Sequence, residues 1–178
     1  MKPWKTKTRQ TVLEQRPWLV VENHTVELPD GRLIPDWPWI ITPDYVNVVA
    51  VTADDRFLCF RQVKYGLEGT TLGIVGGFVE DGEEPFEAAR RELLEETGYE
   101  SPDWMPLGSY RVDPNRGVAT GHLYLARKVR YVTPRNADDL EEQELILLTR
   151  SEIEAALVRG EFKVLAWAAA IAFALRQL

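Results

Sequence analysis

Three glutamates lie within five consecutive residues of this chain, at Glu92, Glu95 and Glu96. Residues three and four apart share one face of an α-helix, so a helix here would place the three carboxylates side by side. Such closely spaced carboxylates repel one another unless a cation neutralises them. Oxygen ligands of high charge density suit Mg²⁺ or Mn²⁺, with phosphate oxygens completing the coordination shell. The spacing therefore predicts a divalent-metal site beside a phosphate group.

The residues around these glutamates predict the helix itself. Pro85 fits a first helical turn, where its missing N–H costs nothing, and Gly98 fits the helix end, where a left-handed residue closes the last turn. The positions expected to form the buried side are Phe86, Ala89, Leu93 and Leu94. A Glu- and Arg-rich run alone is more typical of a solvated, ion-paired face. The fixed glycines and the proline favour a functional site instead.

The stretch from residue 77 to residue 99, GFVEDGEEPFEAARRELLEETGY, resembles the Nudix box, glycine-x5-Glu-x7-Arg-Glu-U-x-Glu-Glu-x-Gly-U, where U is a bulky aliphatic residue. The matching positions are Gly77, Glu83, Arg91, Glu92, Leu93, Glu95, Glu96 and Gly98. Tyr99 departs from the pattern as a packing substitution. The resemblance implies an α/β fold, the Nudix α/β/α sandwich with a mixed central sheet. It also implies metal-dependent hydrolysis of a nucleoside diphosphate linked to another group.

The resemblance assigns a Mg²⁺ or Mn²⁺ site to the helix and to the loop before it. Glu92 and Glu96 are the expected direct ligands, and Glu95 is a third ligand or a catalytic group close to them. The backbone carbonyl of Gly76 is a further ligand, because that role needs no side chain.

Arg91 is predicted to orient a carboxylate through a bidentate bond, and Glu83 to brace the loop or to ligate through water. A purely structural role for both residues remains an alternative. Carboxylates bound to metal are poor bases, so the general base is expected elsewhere. The acidic run at 138–144 aligns with a Glu-x-Glu segment of ADP-ribose pyrophosphatases, which makes Glu142 and Glu144 candidates for the base or for an additional ligand. The alternative is a solvated acidic loop.

Other segments resemble the ADP-ribose pyrophosphatase branch of the family. The segment RQVKY at 61–65 is similar to its Arg-Gln-x-Arg motif, and Pro114 matches a proline of that branch. The substrate-binding candidates are Arg61, Lys64, Arg111, Asn115 and Arg116. A turn at 113–115 is an alternative explanation for the last three. Gly73 stands where that branch often has a glutamate, so one contact to metal or substrate is absent or supplied by another residue.

Runs of β-branched and aromatic residues predict a sheet around this helix. An N-terminal hairpin is expected over 18–28 and 32–41, joined by the turn residues at 29–31. Further strands are predicted at 45–52, 56–63, 105–112, 121–129 and 145–149. Helices follow at 151–159, with Ser151 and Glu154 as a capping box, and at 161–177. The expected organisation is an antiparallel N-terminal arm at 1–42 and a Nudix domain at 43–178.

Composition limits the partners. The chain of 178 residues carries a net charge of −7, which argues against a nucleic-acid polymer and favours a small nucleotide held through metal. The single Cys59 excludes an internal disulfide, is expected in the core, and fits a reducing cytoplasmic compartment. The apolar run at 164–175 is too short to span a membrane.

Three functions fit these residues. The leading one is a Mg²⁺-dependent pyrophosphatase of ADP-ribose or another nucleotide sugar. The alternatives are a house-cleaning hydrolase of nucleoside triphosphates and a Nudix module that binds a nucleotide without cleaving it. A homodimer is expected, because the N-terminal arm and the apolar C-terminal helix are surfaces to be covered.

Overall fold

The computed structural model describes residues 1–135 and 142–178. The chain divides into two units, one formed by Met1–Asp44 with Tyr110–Thr120 and the other by Tyr45–Ser109 with Gly121–Leu178. Within the described residues, no helix has both the length and the apolar character needed to cross a membrane.

The first unit contains an antiparallel three-stranded sheet in the order β1-β2-β3. Its strands are β1 (Lys5–Gln15), β2 (Leu19–Glu27) and β3 (Leu33–Ile41). The predicted hairpin of β2 and β3 is confirmed, and its turn places Gly31 at a φ of 87°, which only glycine adopts readily. Strand β1 was not predicted, because all its residues are exposed and show no apolar alternation.

The larger sheet has seven strands in the order β10-β5-β4-β9-β7, with β6 along β5 and β8 along β9. The strands are β4 (Tyr45–Thr52), β5 (Arg56–Gln62), β6 (Thr71–Gly73), β7 (Tyr99–Glu100), β8 (Asp103–Asp113), β9 (Val118–Tyr131) and β10 (Gln143–Thr149). Strands β4 and β9 are parallel and β4 and β5 antiparallel, so the sheet is mixed, as predicted.

Helices cover both faces of this sheet in the second unit. They are α1 (Pro85–Thr97), α2 (Arg150–Val158) and α3 (Leu165–Leu175). Successive residues of a strand point to opposite faces. Val46 and Val48 therefore share a core with α1, while Val49 and Val51 share a second core with α2 and α3. The predicted α/β/α sandwich is confirmed. Cys59 lies in the second core and is fully buried, also as predicted.

The predicted buried side of α1 is partly wrong. Phe86 and Leu94 are each 38% exposed, whereas Ala88, Ala89 and Leu93 are fully buried. The inward direction is set by Ala89 and Leu93, which are one turn apart. Phe86 instead contacts aromatic rings at the flank of the helix, with its centroid 5.5 Å from that of Trp104.

The starts of the last two helices also differ from the prediction. Thr149 is the N-cap of α2 and forms a capping box with Glu152, because the helix begins directly after β10; Ser151 and Glu154 lie inside the helix. Helix α3 begins at Leu165 and not at residue 161. The carbonyl of Glu161 accepts the N–H of Leu72, at 2.9 Å, so this segment runs beside β6 before the helix starts.

Candidate active site

Helix α1 begins and ends where its sequence requires. Pro85 occupies the first turn, and Gly98 closes the helix in the left-handed conformation at a φ of 75°, donating its N–H to the Leu94 carbonyl. A Cβ at Gly98 would lie 1.9 Å from the carbonyl oxygen of Thr133, so only glycine fits here. These two residues fix which turn of the helix presents the glutamates.

Arg91 is the centre of the charged cluster. Its guanidinium forms a bidentate pair with Glu83, with Nε to Oε1 and Nη2 to Oε2 both at 3.0 Å. Nη1 donates to Glu92 at 2.7 Å and to Glu95 at 3.2 Å. Nη2 also donates to the carbonyl of Phe78 at 3.0 Å. One arginine thus gathers three of the predicted site carboxylates and ties the helix to the preceding loop.

Glu83 in turn fixes that loop. Its Oε2 accepts the N–H of Glu80 at 3.1 Å, in addition to the bonds from Arg91. This geometry matches the bracing role considered for Glu83 and the bidentate bond considered for Arg91.

The segment at 75–78 pairs with the first half of β4. Isolated bridges join Tyr45 to Phe78 and Val48 to Val75 in one antiparallel register, which sets Asn47 opposite Gly76. The bonds from Val48 N–H to Val75 O and from Val46 N–H to Gly77 O flank this pair. In an antiparallel ladder, the pair between two hydrogen-bonded pairs directs its own N–H and C=O away from the partner strand.

Gly76 therefore presents both backbone groups to the side away from β4. Its N–H donates to Oε2 of Glu96 at 3.0 Å. Gly77 also lies close to the helix, because a Cβ there would lie 2.1 Å from Oε1 of Glu92. The structure thus brings together Gly76, Glu92 and Glu96, three of the predicted metal ligands.

Electrostatics within the cluster differ from residue to residue. Hydrogen bonds from Arg91 lower the pKa of Glu83, and the hydrogen bond to Glu83 is the largest cause of the raised pKa of Arg91. Burial raises the pKa of Glu92, although Arg91 opposes that shift. The cluster consists of one cation, Arg91, and the four carboxylates of Glu83, Glu92, Glu95 and Glu96. It therefore keeps an excess of negative charge.

This donor set fits a hard divalent cation, since all its ligands are oxygens and their charge is only partly neutralised. In the arrangement described for residues 1–135 and 142–178, no three acidic, imidazole or thiol side chains converge on one metal position. Glu92 and Glu95 are turned towards Arg91, and Glu96 towards the Gly76 N–H.

A second group of predicted residues meets at β5 and β10. Glu144 is the cross-strand partner of Arg61, and both side chains are exposed. Glu144 also lines a cavity of about 620 Å³ together with Thr97, the residue after Glu96. Glu142 is exposed just before β10. The first residues of the predicted acidic run, at 138–141, lie outside the described residues.

Gly73 has no carboxylate, and the structure shows what occupies that space. A Cβ at Gly73 would lie 1.9 Å from Nε2 of Gln62, a buried residue at the end of β5.

Lys64 follows β5, and its carbonyl accepts the N–H of Leu67 in a turn.

The remaining substrate-binding candidates belong to the first unit. Arg111, Asn115 and Arg116 are exposed. Asp113 accepts the N–H of Asn115 and the Nη1 of Arg116, each at 2.9 Å, which forms the turn that the sequence also favours. Their expected contact with a ligand stays a prediction.

Two parts of the site were absent from the prediction. The Phe78 carbonyl holds Arg91, a backbone contact with no sequence signal. Asn47 lies directly opposite Gly76, and its signal was legible as a single polar residue within the apolar run YVNVVAV.

Family models match most of this chain. The model described as NUDIX domain matches residues 42–168, and the one described as nucleoside diphosphate sugar hydrolase N-terminal domain matches residues 4–40.

Individual proteins are similar over much of their length. The chain is 32% identical to the ADP-ribose pyrophosphatase of Bacillus subtilis (strain 168), over 78% of this chain and 72% of that protein. It is 33% identical to the methanol dehydrogenase activator of Bacillus methanolicus, over 74% of this chain and 70% of that protein. The crystal structure of an ADP compounds hydrolase shares the fold, with a TM-score of 0.83 and 21% identity, covering 100% of this chain and 95% of that one.

Proposed function

Because this chain belongs to the Nudix hydrolase family, we propose that it hydrolyses the diphosphate bond of a nucleoside diphosphate linked to a sugar, with ADP-ribose as the expected substrate. The observation that carries the proposal is the cluster in which Arg91 gathers Glu83, Glu92 and Glu95 beside the Glu96–Gly76 bond. The substrate class is supported by the name of the Bacillus subtilis relative and by the match at residues 4–40.

Glu92, Glu96 and the Gly76 carbonyl would hold Mg²⁺ or Mn²⁺, with Glu95 as a third ligand or a nearby catalytic group. When bound, such an ion neutralises phosphate charge and lowers the pKa of a coordinated water. Arg91 acts through the carboxylates. Its bidentate hold on Glu83 anchors the guanidinium, so that Nη1 fixes the positions of Glu92 and Glu95.

Glu144 is our preferred general base, with Glu142 as the alternative. Glu144 lies on a strand and not on a loop, and it shares a cavity with the residue that follows Glu96. Its partner Arg61 would bind a phosphate of the substrate and limit the repulsion between that phosphate and the base. Lys64 would contribute a second cation, and Arg111, Asn115 and Arg116 would bind the terminal ribose or its phosphate.

We further propose that residues 1–42 act as an arm in a homodimer. Exposed apolar side chains on the first unit support this, among them Val12 at 60%, Trp18 at 61% and Leu33 at 58% exposure. Sedimentation at micromolar concentration tests the proposal, which predicts twice the mass of the chain. A cytoplasmic location is proposed from the single, buried Cys59.

A substrate panel tests the function. The protein is incubated with Mg²⁺ and ADP-ribose, GDP-mannose, NADH or a deoxynucleoside triphosphate, and the released nucleotide is quantified. ADP-ribose is expected to give AMP at the highest kcat/KM, and chelation by EDTA is expected to abolish turnover. Preferential hydrolysis of the triphosphates would replace the proposal with the house-cleaning alternative. Tight binding of one compound without any turnover would indicate a sensing module.

A further inference from the structure

We propose that Asn47 is a positioning residue of the metal site, whose carboxamide holds Gly76 in the orientation that meets Glu96. The inference rests on the proposed function, because Gly76 is one of the proposed ligands.

The contact between Asn47 and Gly76 is direct and tight. A Cβ at Gly76 would lie 2.3 Å from Nδ2 of Asn47 and 2.4 Å from the carbonyl oxygen of Val46. The carboxamide therefore fills the space beside the Gly76 Cα. In the flanking pairs, backbone hydrogen bonds hold Val75 and Gly77 to β4.

Gly76 itself has no such bond to β4, since its N–H is used by Glu96 and its carbonyl is directed to the same side. Across the pair, Gly76 is thus held by close packing against the side chain of Asn47 and the carbonyl oxygen of Val46. A shift of the glycine away from β4 would move its carbonyl and change the Glu96 bond together.

Stability alone does not account for an asparagine here. Asn47 is 4% exposed, and among the described residues its Oδ1 has no hydrogen-bond partner. A buried acceptor without a partner opposes folding, and the neighbouring strand positions are all apolar. The flat amide is thinner than a branched aliphatic group. Leucine would place a methyl group where Nδ2 now lies and would push Gly76 outwards.

The test measures metal affinity without substrate. Binding of Mn²⁺ to the full-length protein is followed by electron paramagnetic resonance of the free ion, and the melting temperature is recorded alongside. Asn47→Leu and Asn47→Ala are each expected to weaken Mn²⁺ binding about 10- to 100-fold, the usual effect of losing a group that orients a metal ligand. Asn47→Leu is expected to melt at or above the temperature of the unaltered protein.

Thr71→Val is the matched control. Thr71 is also a buried polar residue of the second unit, and its hydroxyl bonds the carbonyl of Glu161 and the N–H of Lys163. The control is expected to lower the melting temperature and to leave Mn²⁺ affinity unchanged. An equal loss of affinity in Thr71→Val would overturn the specific role of Asn47.

Mn²⁺ affinity within twofold of normal in either folded Asn47 variant would overturn this inference alone. Failure of both variants to fold would make Asn47 a structural requirement and would also overturn it. Absence of Mn²⁺ binding by the unaltered protein would overturn the proposed metal site as well.

Discussion

Helices α1 and α3 cover opposite faces of one sheet, yet different interactions hold them in place. Helix α3 carries no charged residue and buries Ala170, Ile171 and Ala174 in the apolar core. Helix α1 buries mainly small side chains and is tied to its loop by Arg91 and the surrounding carboxylates. The apolar burial on the α3 face of the sheet thus stabilises the fold, whereas the clustered charges on the α1 face would by themselves destabilise it.

The residues proposed for activity therefore lie on the α1 face of the sheet, and an apolar core that stabilises the fold lies on the α3 face. Changes on the α1 face are expected to alter turnover more than folding, and changes on the α3 face to alter folding more than turnover. Substitutions that fail to divide in this way would contradict the comparison.

The largest expected effect is that of Glu96→Gln on turnover. Loss of the charged carboxylate removes a proposed ligand, so kcat is expected to fall about a thousandfold, equivalent to about 4 kcal/mol in the barrier. The melting temperature is expected to change little, since glutamine keeps an oxygen that accepts the Gly76 N–H. Steady-state kinetics with Mg²⁺ and ADP-ribose, together with thermal unfolding, measures both.

Glu87→Gln is the control on the same helix. Among the described residues, Glu87 pairs with Arg90 at the surface, at 3.0 Å, and both side chains are more than half exposed. Its turnover is expected to match that of the unaltered protein. Near-normal activity in Glu96→Gln would reject Glu96 as a ligand.

The second effect is that of Ile171→Ala on folding. Ile171 is fully buried in the core between the sheet and helices α2 and α3. Truncation of a buried isoleucine leaves a cavity and is expected to lower the free energy of unfolding by about 3 kcal/mol. Turnover per folded molecule is expected to stay within twofold, as checked by urea unfolding and by active-site-normalised kinetics. A selective loss of activity would show that the two faces are coupled.

Helix α1 and its charged residues were largely predictable, because the residues that define them are close together in the sequence. Pro85, Gly98 and the spacing of the glutamates define the helix within a single stretch of sequence. The pairing of Glu144 with Arg61 depends on strand order and register, which residue patterns do not encode. The same holds for Asn47 opposite Gly76.

On the α3 face, the first residues of helices α2 and α3 were predicted less well. A continuous alanine-rich run has no periodicity that marks its first turn. The start of α3 is instead set by the contact of Glu161 with β6, which is distant in sequence. In α2, the predicted capping box of Ser151 and Glu154 was wrong, because the helix begins directly after β10 and is capped by Thr149 with Glu152.

The smallest expected effect is that of Glu83→Gln on the free energy of unfolding. Its dependence on pH distinguishes the charged α1 face from the apolar α3 face. Arg91 lowers the pKa of Glu83 below its ordinary value of 4.5, so the ionised pair stabilises the fold above that pH. This contribution is lost as pH falls through the lowered pKa. The variant is therefore expected to be about 1 kcal/mol less stable at pH 7, after solvent screening, and equal to the unaltered protein in strong acid.

Glu92 shifts in the opposite direction, because burial raises its pKa and its protonation in acid favours the folded state. It titrates in both proteins, so most of its contribution cancels in their difference. Urea unfolding between pH 3 and pH 7 gives that difference directly. The corresponding difference for Ile171→Ala is expected to stay constant over the same range, because no charge is removed. If the loss of unfolding free energy in Glu83→Gln did not depend on pH, apolar contacts and not the Arg91 ion pairs would hold helix α1 in place. The α1 face would then resemble the α3 face.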